Sequence, residues 1–187
     1  MKQKHTVTEL QIVNGVKNGD RKAMHAMYDL LAGSAMATAR RYLDNSDNCR
    51  DVLQDCFLKA FTRIGDFDYR GDGSLRAWMT RIVANESINL LKRQSHITFL
   101  NTDVAELPVE EPPDITHVPP EVINRMIASL PSGYRIVFNQ FVFEHKSHKE
   151  IAQALGIKES SSASQLFRAK RLLAKMIQQY QQEQDDR

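Results

Sequence analysis

Apolar residues recur at helical spacing through most of the chain. Thr8-Glu9-Leu10-Gln11 has the form of a capping box ahead of Ile12, Val13 and Val16. Asn18-Gly19-Asp20 breaks that short helix, and Asp20 is placed to cap the next, which carries Met24, Met27, Tyr28 and Leu31. Gly33-Ser34 weakens this second helix without clearly ending it before Tyr42-Leu43. After the turn-and-cap cluster Asn45-Ser46-Asp47-Asn48, Leu53, Phe57, Phe61 and Ile64 form an apolar stripe. Gly65 through Gly73 reads as a loop, and Ser74 is placed to cap a helix reaching about Lys92.

Helical spacing resumes at Pro119-Pro120-Glu121, followed by Val122, Ile123, Met126, Ile127 and Leu130. Pro131 ends that helix, and Ser132 can cap another carrying Ile136, Val137, Phe138, Phe141 and Val142. Ser147-His148-Lys149-Glu150 is a second capping box, opening a short helix that stops at Gly156. A last helix is expected from about Glu159 to Tyr180, with Gln181–Arg187 fraying. No period-two alternation is long enough for a sheet. The fold expected is all-α.

Charge divides the chain further. The 187 residues carry a net charge of +2, which argues neither for nor against a polyanionic partner. By segment, residues 1–95 carry net +4, 96–120 net −5 and 121–187 net +3. The acidic stretch (Asp103, Glu106, Glu110, Glu111, Asp114) has no Lys or Arg and holds five of the six prolines. Pro-rich segments of one sign extend rather than pack. The expected organisation is two helical domains, 1–95 and 119–187, joined by an acidic linker over 96–118.

Composition is that of an ordinary globular protein, 42% hydrophobic and 26% charged. Apolar runs fall short of the ~18–20 residues that span a bilayer, and no signal peptide is visible. Cys49 and Cys56, seven apart on one helix, lie about 10 Å apart along its axis, beyond disulfide reach. A reducing cytoplasm is the expected setting. No cofactor or metal is expected: Asp66-x-Asp68 with Gly71 hints at a calcium loop, but its twelfth position is Ala77. Walker, His-Glu-x-x-His and Gly-x-Ser-x-Gly signatures are missing, so an enzyme is not expected.

Three segments carry chemistry. Residues 147–170 read as a helix-turn-helix, with Ile151, Leu155, Ile157 and Leu166 locking two helices and Ala152 allowing close approach. Its second helix is expected to expose Ser160, Ser161, Ser164, Gln165 and Arg168, followed by Lys170 and Arg171. Short polar groups there could reach base edges while the later cations meet phosphates. Residues 67–93 set Phe67 and Trp78 among Arg70, Arg76, Arg81, Lys92 and Arg93, a mixture suited to single-stranded nucleic acid. Asn85 and Asn89 share a helix face, and their amides can read exposed base edges. Trp78 can equally belong to the core. Asp51, Gln54, Asp55 and Lys59 form a polar strip that spacing alone makes no more than a solvated face.

Together, the Asp51–Phe61 run, the Phe67–Arg93 run with Arg70-Gly71-Asp72 and Trp78, and Leu130-Pro131 leading into His148–Lys170 resemble the extracytoplasmic-function (ECF) sigma factors of bacterial RNA polymerase. The resemblance covers about Val13 to Ala174. It implies a region-two-like bundle over 1–95 and a region-four-like helix-turn-helix domain over 119–187. Asp51, Gln54, Asp55 and Lys59 would then dock core polymerase. Minus-ten DNA would meet Phe67, Arg70, Ser74, Trp78, Arg81, Asn85, Asn89, Lys92 and Arg93, with the Phe67–Leu75 loop cradling a flipped base. Ser160, Ser161, Ser164, Gln165, Phe167, Arg168, Lys170 and Arg171 would meet the minus-thirty-five duplex. The linker would thread towards the polymerase active-site path, and an anti-sigma factor is the further partner implied. Ser162 replaces a usual branched apolar residue, and Ala163 a frequent cation. The competing reading is a helix-turn-helix regulator of duplex DNA, which has no need of the 67–93 segment or the Asp51–Lys59 strip.

Overall fold

The computed structural model describes residues 7–94 and 113–185. Among them all regular structure is helical: α1 (Glu9–Lys17), α2 (Arg21–Tyr42), α3 (Ser46–Arg63), α4 (Ser74–Gln94), α5 (Pro120–Ser129), α6 (Ser132–Val142), α7 (His148–Leu155) and α8 (Glu159–Asp185). A single 3-10 turn, Ile64–Asp66, follows α3. The described residues fall into two compact units, one comprising those up to Ala39 and over Asn45–Ser87, the other Arg40–Asp44 and those from Ile88 onward. Most of the linker expected over 96–118 lies outside the described residues.

Local signals account for several helix ends. Thr8 and Gln11 form the reciprocal capping box of α1. Asp20 Oδ1 accepts the Lys22 N–H at 2.8 Å, and Asn45 Oδ1 accepts from Asp47 at 2.7 Å. Ser147 and Glu150 form the second capping box, and Gly156 closes α7 at φ 69°, a left-handed conformation that glycine adopts without strain. Three expectations need correction. Ser74 does not cap α4: the Glu9 carboxylate accepts the Gly73 and Leu75 N–H groups instead. Pro131, not Ser132, is the N-cap of α6, and it makes no side-chain cap bond. The last helix runs beyond Tyr180 to Asp185, where Gln181 Nε2 donates to the Asp114 carbonyl at 2.7 Å.

The first unit buries Ile12, Val13 and Val16 of α1 with Met27 and Leu31 of α2, Leu53 and Phe57 of α3, and Leu75, Met79 and Val83 of α4. Gly15 marks the closest approach of α1 to α2: a Cβ there would lie 2.5 Å from that of Ala23. Gly15→Ala is therefore expected to push the helices apart and cost about 1–3 kcal/mol, read from urea unfolding. In the second unit, Ile127, Leu130, Ala169 and Leu173 form one cluster, and Val137, Ile151 and Leu166 another beneath the helix-turn-helix. The buried Arg135 guanidinium donates to the Ala128 carbonyl near the end of α5.

Candidate nucleic-acid interface

The loop between α3 and α4 borders a cavity of about 380 Å³, lined by Asp66, Phe67, Asp68, Arg70, Ser74, Ala77, Trp78 and Arg81. That volume falls within the range of small-molecule sites, about 300–1,000 Å³. Phe67 is 6% exposed and its ring packs on Trp78 at 5.1 Å between centroids. Phe67 is thus largely taken up inside the protein, whereas Trp78 is half-buried and serves core and cavity together. The loop is shaped from within. Ser74 Oγ donates to the Gly71 carbonyl at 2.6 Å and accepts the Arg70 N–H at 3.3 Å. Tyr69 donates to Asp72 at 2.7 Å, a bond that pushes its phenol up to about 12. Asp68 pairs with Arg70 Nε at 3.0 Å. Gly71 and Gly73 take φ of 110° and 90°, a region closed to most side chains.

Helical period carries the site on along α4. Ser74, Trp78, Arg81, Asn85, Asn89 and Lys92 recur at intervals of three and four and so share one face. From Trp78 to Lys92 that face extends about 21 Å. Arg81, Asn85, Asn89, Lys92 and Arg93 are exposed. An aromatic-walled cavity at one end and a pair of amides flanked by cations along the rest can hold a base, follow a strand and contact base edges.

On α3, Asp51, Gln54 and Asp55 are exposed and share a strip with Leu58, which is 57% exposed. Leu58 was not marked by sequence reasoning, because it falls outside the apolar stripe and a strip read from polar residues alone passes over it. Lys59 belongs to the strip but pairs with Glu86 of α4 at 2.7 Å, so its charge is partly answered within the unit. Beneath the strip Cys56 is buried, and burial, with Glu86 adding to it, pushes its thiol up to about 12. Cys49 is buried as well, and no disulfide joins the two.

The helix-turn-helix forms as expected from α7 and α8, but its exposed face differs. Ser160, Lys170 and Arg171 are exposed, and Phe167 and Arg168 are half-buried. Ser161 and Ser164 are 4% exposed and Gln165 is fully buried, correcting the expectation that all three face solvent. Ser164 turns its hydroxyl back to donate to the Ser160 carbonyl at 2.9 Å. Ser161 and Gln165 flank the core row of Ser162, Leu166 and Ala169, one residue away in the helical period.

Ser162 is itself fully buried, with Oγ 3.0 Å from His148 Nδ1, and the His148 ring stacks on Phe141 at 4.7 Å. At that one position a polar pair stands where the resemblance implies an apolar residue, beside the Ile151–Leu166 packing that locks α7 to α8. Burial pushes the His148 imidazole below its ordinary value of 6.5; Glu159 opposes this and Lys170 adds to it. Folding therefore favours the neutral ring. Its contribution is complete above the unfolded value near 6.5 and is lost as pH falls through the lower folded value. His148→Gln is expected to show less loss of Tm than the parent between about pH 7.5 and 5.5.

Comparison with known proteins identifies two segments of the chain. The family model for Sigma-70 region 2 matches residues 27–97, and that for Sigma-70, region 4 matches residues 121–173. The RNA polymerase sigma-H factor of Pseudomonas aeruginosa is 26% identical over 182 residues, covering 90% of this chain and 93% of that protein. The ECF RNA polymerase sigma-E factor of Escherichia coli is 24% identical over 185 residues, covering 92% and 95%. Among solved structures, the sigma factor RpoE of Bartonella quintana, in complex with the anti-sigma factor NepR, aligns with a TM-score of 0.52 and 18% identity. That alignment covers 84% of this chain and 98% of RpoE, and it speaks to the fold. A region 2 match and a region 4 match, in that order and with relatives aligned almost end to end, give one answer: this chain belongs to the ECF sigma factors.

Proposed function

We propose that the protein binds core RNA polymerase and directs it to particular promoters by holding two DNA elements at once. Residues 119–187 bind the minus-thirty-five duplex, residues 1–95 bind core and open the minus-ten element, and the acidic segment 96–118 tethers them. The observation that carries this reading is the single face of α4 running from the aromatic cavity through Asn85 and Asn89 to Lys92. A duplex-reading regulator has no use for it. Within this scheme Asp51, Gln54, Asp55 and Leu58 dock core, helped by Lys59, and Arg70, Trp78 and Arg81 border the base site. Ser160, Phe167, Arg168, Lys170 and Arg171 supply the duplex contacts.

Promoter opening is then driven by binding rather than bond chemistry. Flipping a base costs a few kcal/mol, and stacking returns about 1–3 kcal/mol per base. Tethering makes the second DNA contact effectively intramolecular, so two weak contacts suffice once polymerase sets their register. An anti-sigma factor is the regulator proposed; the Bartonella quintana sigma factor was solved with one. The test is transcription in vitro from a promoter library with core polymerase, with and without this chain. Selective initiation from a subset of promoters supports the reading. Equal transcription with and without the chain defeats it.

A further inference from the structure

One short helix grips the cavity-lining segment at both of its ends. At the start of α1, Glu9 Oε2 accepts the Gly73 N–H and Oε1 the Leu75 N–H, each at 2.8 Å. At the last residue of α1, Lys17 Nζ donates to the Phe67 carbonyl at 3.0 Å. Nine residues of helix make a rod of about 14 Å. That rod is fixed in turn by buried Ile12, Val13 and Val16 and by the close approach at Gly15.

Apart from the buried Phe67 ring against Trp78, the segment so held has little else to define it. Phe67 through Gly73 has no regular secondary structure, and two of its residues are positive-φ glycines. Its internal bonds join near neighbours: Asp68 with Arg70, Tyr69 with Asp72, and Ser74 with Gly71 and Arg70. These shape the loop; Phe67 packed on Trp78 anchors one end of it to α4, and the α1 contacts hold both ends in place. The Glu9 contacts are charge-assisted and fall at the N-terminus of α4, where the helix dipole favours a carboxylate.

We propose that Glu9 and Lys17 are positioning residues of promoter opening: through Gly73, Leu75 and Phe67 they set the width of the cavity, and so which base it accepts. This rests on the cavity being the base site proposed above. Neither residue needs to touch DNA. The role belongs to α1, which precedes the matched region 2 segment 27–97.

The test uses holoenzyme assembled from the full chain and core polymerase. Open-complex formation is measured on a panel of promoters carrying every single-base change through the minus-ten element. Glu9→Ala removes both acceptors. Lys17→Met removes only the donor and keeps the aliphatic stem, so it carries the test if Glu9→Ala does not fold. At one minus-ten position, preference for the favoured base is expected to fall roughly tenfold, about what one charge-assisted hydrogen bond supplies. Preferences at other positions and core affinity stay unchanged, and Lys17→Arg, which keeps a donor, restores the preference. Unchanged discrimination in Lys17→Met overturns the proposal, as does a uniform loss across positions accompanied by weaker core binding. If parent holoenzyme opens no promoter, the sigma reading itself fails.

Discussion

Replacing Asn85 and Asn89 together by alanine is expected to abolish opening of duplex promoters while holoenzyme still assembles. Both side chains are exposed, one helical turn apart, on the face of α4 that leads away from the cavity. Alanine favours the helix, so folding is not at risk. Each lost amide contact with a base edge is worth about 1–3 kcal/mol, so the pair removes about 2–6 kcal/mol, or roughly 30-fold to 10⁴-fold in the opening equilibrium. The measurement is open-complex lifetime and yield on a duplex promoter, set beside the same promoter with its minus-ten element already mismatched. If the amides read the melted strand, the mismatched template recovers part of the yield, because the cost of unpairing has been removed. A double variant that opens duplex promoters as well as the parent removes these residues from the account.

Charge reversal on α3 should have an effect of similar size at an earlier step. Asp51→Lys with Asp55→Lys turns an exposed acidic strip basic around Gln54 and Leu58. Like charges placed opposite each other in an interface cost several kcal/mol, so core affinity is expected to fall at least 100-fold, measured by fluorescence anisotropy of labelled protein titrated with core. Exposed substitutions of this kind change stability by only about 0.5 kcal/mol, which urea unfolding checks. Lys59→Ala is a less direct probe, because it also strips Glu86 of its ion pair. Its effect would combine loss of a docking contact with a local change between α3 and α4.

Local and long-range features differ in how far the sequence announced them. Helix ends closed by neighbours within three or four residues were legible: Thr8 with Gln11, Ser147 with Glu150, and Gly156. Each is a local motif whose bonding is set by chain geometry. The cap of α4 was not legible, because Glu9 lies 64 residues from Gly73 and 66 from Leu75, and no periodicity encodes a contact at that separation. Ser74 looked like the cap and instead ties together the loop before it. On α8 the identity of the helix-turn-helix was clear from its apolar locks. Its accessible face was not, since polar residue type predicted exposure for Ser161, Ser164 and Gln165, all of which are buried. Ser162 shows why: with His148 as partner, a serine can occupy a core position that pattern reserves for an apolar side chain.

Net charge of +2 had offered no hint of a polyanionic partner, yet the exposed cations of α4 and α8 gather beside the surfaces proposed for DNA. The central claim is that this chain gives polymerase the ability to melt a promoter. Permanganate reactivity of non-template thymines in the minus-ten element reads that event directly on a duplex template. Reactive thymines are predicted only when core polymerase and this protein are both present, and neither alone produces them. Tight binding of the protein alone to duplex DNA, with no reactive thymines when core is added, would contradict the account and favour a duplex-binding regulator.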